Sequence, residues 1–108
     1  MKLIPAKPKL PPLYANDDKP ASEVTIPVKL FNPCGGQTWY LTEYDPETQT
    51  AFGFCDLGMG FPELGYVNIQ ELEELRVPPF GLRIERDRYW NHKTTLAEVM
   101  AKHGLPTE

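Results

Sequence analysis

A chain of 108 residues with 41% hydrophobic and 11% aromatic content has the size and composition of one folded domain, which excludes a disordered polymer. Twelve prolines, about twice the usual share, exclude a mostly helical protein and imply extended segments and tight turns. The net charge of −4 is uneven: residues 43–74 hold eight acids and no base, and residues 75–93 hold five bases, which argues against a broad nucleic-acid surface and leaves room for a local anion site.

In chain order, residues 1–22 are rich in Pro, Lys and Asp and predict an extended arm pinned by Leu10, Leu13 and Tyr14, ahead of a single domain over residues 23–108. Prolines interrupt any signal-peptide core, and no apolar run approaches the ~20 residues of a membrane span. A cytoplasmic setting is therefore expected, with no membrane partner and with Cys34 and Cys55 reduced, the first in a loop and the second a small buried hydrophobe.

"EVTIPVKLF" alternates, with Val24, Ile26, Val28 and Leu30 on one face. Pro27 cannot donate a ladder hydrogen bond, so this strand is expected at a sheet edge. "TWYLTEYD" and "AFGFCDL" read as an antiparallel hairpin closed by the Asp-Pro turn "DPETQT". "GMGFPELG" reads as a glycine-rich loop and "LGYVNI" as a fourth strand. Asn68 then caps a short helix, ended by "VPPFG". "LRIERDRYW" returns to a period of two. Thr95 and Glu98 form a capping box for a last helix from Leu96 to about His103, with Gly104 as its terminator. The fold class is α+β, a mostly antiparallel sheet of four or five strands packed by two short helices.

Parity carries the first site argument. In an unbroken strand Trp39 and Leu41 define the core face and draw Glu43 with them, while Leu82 and Ile84 draw Arg86. A buried carboxylate needs a partner, so two alternatives stand, a Glu43–Arg86 ion pair or an exposed Glu43 available to a ligand, and a bulge in either strand would remove the argument for the pair. Tyr40 and Tyr44 then share the opposite face.

"VKLFNP", "TWYLTEYDP", "FGF", "PELGYVNIQELEEL" and "GLRIERDRYW", in this order across residues 24–90, resemble the bacterial family catalogued as domain of unknown function 2958. Leu30 and Asn68 depart from its usual residues at those positions. The resemblance implies a setting on plasmids and other mobile elements, and no mechanism.

Three functions compete. The first is a non-enzymatic protein-binding accessory of such an element, modulating host defence or plasmid maintenance. Its acidic patch of Glu43, Asp45, Glu63, Tyr66, Glu85 and Asp87 would meet a basic partner. The second is a single-stranded nucleic-acid module using Tyr40, Tyr44, Arg83, Arg86 and Arg88. The third is a small carboxylate-dependent hydrolase. No cofactor or metal is expected, because His92, His103, Cys34 and Cys55 lack ligand spacing. The residue pattern leaves the oligomeric state open.

Overall fold

Alternation within the paired segments builds one antiparallel sheet in the computed structural model, which describes residues 2–58, 60 and 62–105. Its strands are β1 (Val28–Phe31), β2 (Thr38–Asp45), β3 (Thr50–Asp56), β4 (Glu63–Asn68) and β5 (Glu85–Arg86), in the order β4-β3-β2-β1-β5. Two helices complete the α+β fold, α1 (Ile69–Glu74) and α2 (Leu96–Lys102). None of the described helices is long and apolar enough to cross a membrane. Of the expected glycine-rich loop, Met59 and Phe61 lie outside the described residues.

The turn between β2 and β3 forms as its residues dictate. The Asp45 carboxylate accepts from the Glu47 N–H at 3.0 Å and from the Thr48 hydroxyl at 3.0 Å, and Gln49 takes a left-handed φ of 57°. Both helix starts carry their caps. Asn68 Oδ1 accepts from the Glu71 N–H at 2.9 Å. Thr95 and Glu98 close a full capping box, and that hydrogen bonding holds the Glu98 carboxyl below its ordinary value.

Both faces of the sheet are covered. One face buries Val28, Leu30, Trp39, Leu41 and Ala51 against Ile69 and Leu72 of α1 and against Leu3 and Leu10 of the N-terminal segment. The other buries Phe54 with Val24, Ile26, and Leu96 and Val99 of α2. The N-terminal segment is a run of turns over residues 13–18 followed by a single 3₁₀ turn at Ala21–Glu23.

Pro27 changes the expected first strand. Only Val28–Phe31 joins the ladder, between β2 and β5 rather than at an edge, and Val24 and Ile26 pack on the face opposite to Val28 and Leu30. Proline sits just ahead of the first paired residue, where its missing N–H is not needed. The chain changes faces there. Ile26 is held by its own pair of bonds, its N–H donating to the Thr94 carbonyl at 2.8 Å and its carbonyl accepting the Trp90 indole N–H at 2.7 Å.

β2 holds the second departure. Its register with β3 runs Trp39 to Cys55, Tyr40 to Phe54 and Leu41 to Gly53, then skips Thr42 and resumes with Glu43 opposite Phe52. This is a β-bulge, and it sends every residue after Leu41 to the other face. The bulged Thr42 is buried and satisfies its hydroxyl on the Phe52 carbonyl at 3.1 Å.

Candidate functional site

The bulge moves Glu43 away from the face of Leu41 and onto the α2 face, beside Phe52 and, across β3, Tyr66. Arg86 pairs with Leu30 and so stays on the α1 side, with β1 standing between its strand and β2. The expected Glu43–Arg86 ion pair is therefore not formed. Arg86 Nη1 instead donates to the Lys2 carbonyl at 3.4 Å. The carboxylate of Glu43, only 4% exposed, accepts the backbone N–H of Tyr14 on Oε1 at 2.7 Å, a short charge-assisted bond.

That bond depends on how the N-terminal segment crosses β2. β1 covers β2 only as far as Leu41, which leaves the Thr42–Asp45 stretch with an open edge on that side. Residues 11–14 close it: the Tyr44 N–H donates to the Pro11 carbonyl at 2.9 Å, and Tyr14, with a left-handed φ of 71°, turns its own N–H onto Glu43. A tyrosine rarely adopts that φ, so the strap is held in its shape by these two bonds and the burial of Leu10.

Above Glu43 lies a groove of about 360 Å³. Thr42 and Glu43 form its floor. Val24, Phe52, Leu64, Leu96 and Met100 form apolar walls, and Asn16, Asp17 and Lys19 stand on the rim. Among the described residues Oε2 of Glu43 has no hydrogen-bond partner, and no buried side-chain oxygen there lacks one, so Oε2 meets the groove. Tyr66 stacks obliquely on Phe52 with ring centroids 5.0 Å apart. The neighbouring Tyr14 phenol first, then desolvation, then the charges of Asp17 and Glu43 raise the Tyr66 phenol above its ordinary value. The groove thus sets the Glu43 carboxylate among apolar side chains and the Phe52 ring, with Asp17 and Lys19 opposing each other in charge at the rim.

The remaining sequence-predicted residues are spread over the sheet. Asp45 is committed to the β2–β3 turn. Glu63 pairs with Cys55 on the α1 face, and Tyr66 lies on the other side of the same strand. Glu85 and Asp87 stand at the far edge, where Asp87 pairs with Lys29 at 3.8 Å. The expected acidic patch is therefore split, with Glu43 and Tyr66 on the α2 face, Glu85 and Asp87 together at the far edge, and Asp45 and Glu63 apart from both.

The tyrosines of the nucleic-acid reading are separated by the same bulge. Tyr40 lies on the α2 face beneath Trp90 and His103, with ring centroids at 5.7 and 6.3 Å, and Lys29 Nζ lies 5.7 Å from its centroid. Tyr44 packs on the α1 face. Burial first, with Asp56 acting on Tyr40 and with Glu73 and Asp45 acting on Tyr44, raises both phenols. Arg83 and Arg88 are exposed, on β5's approach and exit, and Arg86 lies between them. Among the described residues no three His, Cys, Asp or Glu side chains gather as a metal would require.

Asn16, Asp17 and the α2 walls of the groove were missed in the sequence because they approach Glu43 only through tertiary contact. The bulge itself had a local signal. Gly53 interrupts "AFGFC" between two phenylalanines, and a glycine inside a strand pattern marks a bulge or a close backbone approach.

Cys55 is half-buried beside Trp39, and burial, then the Glu63 carboxylate, push its thiol up to about 11. Near neutral pH its thiolate fraction is therefore on the order of one in 10⁴. Limiting iodoacetamide is expected to modify exposed Cys34 and leave Cys55 intact, as read by peptide mass spectrometry. Equal labelling of the two would refute this account of the Cys55 environment.

No curated protein and no solved structure matches the chain. Residues 12–103, which include the strap at Tyr14, the bulge at Thr42, Glu43 and both helices, match a family described as protein of unknown function (DUF2958), and the chain belongs to that family.

Proposed function

We infer that this protein is a binding module without catalytic chemistry, which takes one lysine side chain of a basic protein partner into the groove above Glu43. The observation that carries this reading is the nearly buried carboxylate whose Oε1 is held by Tyr14 and whose Oε2, among the described residues, has no hydrogen-bond partner. A lone buried carboxylate is costly, and a cation supplied from outside offsets that cost. Lysine suits the site better than arginine. A guanidinium prefers two carboxylate oxygens at once, and one is already occupied, whereas an ammonium needs a single strong acceptor. Its four-carbon stem would lie along Phe52, Leu96 and Met100, and the Phe52 ring adds cation–π attraction.

The hydrolase reading has less support, since Glu43 shares its groove with Asp17 on the rim, while Asp45, Glu63, Glu85 and Asp87 stand elsewhere. The wider setting belongs to the same proposal: a cytoplasmic accessory protein of a bacterial plasmid or other mobile element, acting on host defence or plasmid maintenance. It rests on the family resemblance alone.

Titration of the protein with lysine-containing, arginine-containing and neutral peptides of one length tests the reading. Lysine peptides are expected to bind tightest, weakening as salt rises. Glu43→Gln keeps an acceptor for the Tyr14 N–H, so it should lower affinity about tenfold or more with stability changed by about 1 kcal/mol or less. Glu63→Gln, on the opposite face, serves as the control and should bind normally. Equal affinity for neutral peptides, or indifference to Glu43→Gln, would overturn the proposal.

A further inference from the structure

A second recess, of about 380 Å³, lies at the sheet edge opposite to β4. The N-terminal segment and the stretch around β5 close around it and bring Lys7 together with Arg86 and Arg88. Pro5, Pro8 and Pro27 give it stiff walls. Trp90 forms a further wall and is fixed by its indole bond to Ile26.

The charges in this recess are out of balance. Asp87 is the one carboxylate among the lining residues, and it is already engaged by Lys29 at 3.8 Å and by the Tyr89 N–H at 2.9 Å. Among the described residues Lys7, Arg86 and Arg88 have no carboxylate within 4.0 Å. Arg86 is oriented by its bond to the Lys2 carbonyl, which leaves most of its donor fork free. Three like charges brought into one recess repel each other unless an anion sits among them.

We propose that this recess binds a phosphate monoester dianion carried on a small molecule. Two guanidinium forks and an ammonium match the oxygens and charge of such a group. A nucleic-acid strand presents its charges one by one along a line and calls for a basic stripe. Here the cations line one recess of a chain whose net charge is −4. The recess is separate from the groove over Glu43, so the two sites stand or fall independently.

Inorganic phosphate is the first probe, titrated at constant ionic strength and followed by the chemical shifts of the Trp90 indole and the arginine side chains. Phosphoserine and a ten-nucleotide oligothymidylate are run in parallel. Saturable phosphate and phosphoserine binding with a Kd of about 1 mM or tighter is expected. Lys7→Ala and Arg88→Ala, both exposed positions, should each weaken it several-fold, and Lys93→Ala should leave it unchanged. Absence of saturation, or equal weakening by Lys93→Ala, would overturn the proposal. So would oligonucleotide binding tighter than phosphoserine with the same dependence on Lys7 and Arg88, which would make the ligand a polymer.

Discussion

Gly53→Ala is expected to abolish the fold, or to lower its melting temperature by at least about 15 °C. A β-carbon at position 53 would lie 2.1 Å from the Tyr40 carbonyl oxygen and 2.9 Å from the Leu41 Cα. Both obstacles are backbone in the neighbouring strand, so no side chain can rotate away. The strain is purely steric, because Gly53 does not occupy the left-handed region. Overpacking of a well-filled interior usually costs about 1–3 kcal/mol and more where nothing can give. Such a loss is a large part of the ~5–15 kcal/mol that holds a domain together. For a chain of this size each kcal/mol moves the midpoint by about 4–8 °C. Gly65, the glycine paired with Gly53 across β3 and β4, has open space where its β-carbon would stand. Gly65→Ala is therefore the matched control, with a change of about 1 kcal/mol or less and in the stabilising direction. Thermal melts of the two variants decide the matter. A Gly53→Ala protein that melts like the parent would mean that β2 and β3 do not approach each other as described. The bulge that directs Glu43 into its groove would lose its basis with it.

Local chemistry made much of the architecture legible. The Asp-Pro turn, the Asn68 cap, the Thr95–Glu98 box and the glycine at position 104 are decided by contacts within a few residues of one another. The Trp39 and Leu41 face was legible for the same reason, since alternation holds while pairing is unbroken. Legibility ended where a second strand intervened. Thr42 is bulged because of what β3 brings opposite it, and one inserted residue reverses the direction of Glu43, Tyr44 and Asp45 together. Pro27 acts similarly, since the chain crosses to the other face there although the apolar spacing continues through it. The short β5 had a signal of period two in "LRIERDRYW", but only two of those residues reach β1. Tyr14 as the partner of Glu43 had no signal in the sequence, because nothing local ties residue 14 to residue 43.

Phe54→Ala is the second substitution with a large expected effect, and its consequence should be concentrated in α2. Phe54 is 1% exposed and lies at the centre of the smaller core, with its ring centroid 5.2 Å from that of His103 and 6.2 Å from that of Tyr40. Truncating a buried phenylalanine costs about 3–5 kcal/mol through lost transfer energy and the cavity left behind. At about 4–8 °C per kcal/mol the midpoint should fall by about 12–40 °C. Among the described residues the α1 face has a core of ten buried hydrophobic side chains to absorb a perturbation, while that of the α2 face has five, of which Phe54 is the one contributed by the β2–β3–β4 part of the sheet. Beyond packing on Val24 and Ile26, what then ties α2 to its surroundings is the bond from the Leu96 N–H to the Val24 carbonyl and the contact of His103 with Asp56 at 3.2 Å. Amide exchange from Val99 to His103 should therefore accelerate more than exchange in β2 and β3. Phe54→Leu, which keeps most of the volume, should lose about 1.5 kcal/mol and leave that contrast small. Leu96 and Met100 of α2 are also walls of the groove, so loosening the helix opens the site above Glu43 without touching the carboxylate. Phe54→Ala should then weaken lysine-peptide binding even at temperatures where the protein is still folded. A uniform rise in exchange across the sheet and α2 would show instead that the two faces unfold as one unit and that α2 has no separate dependence on Phe54.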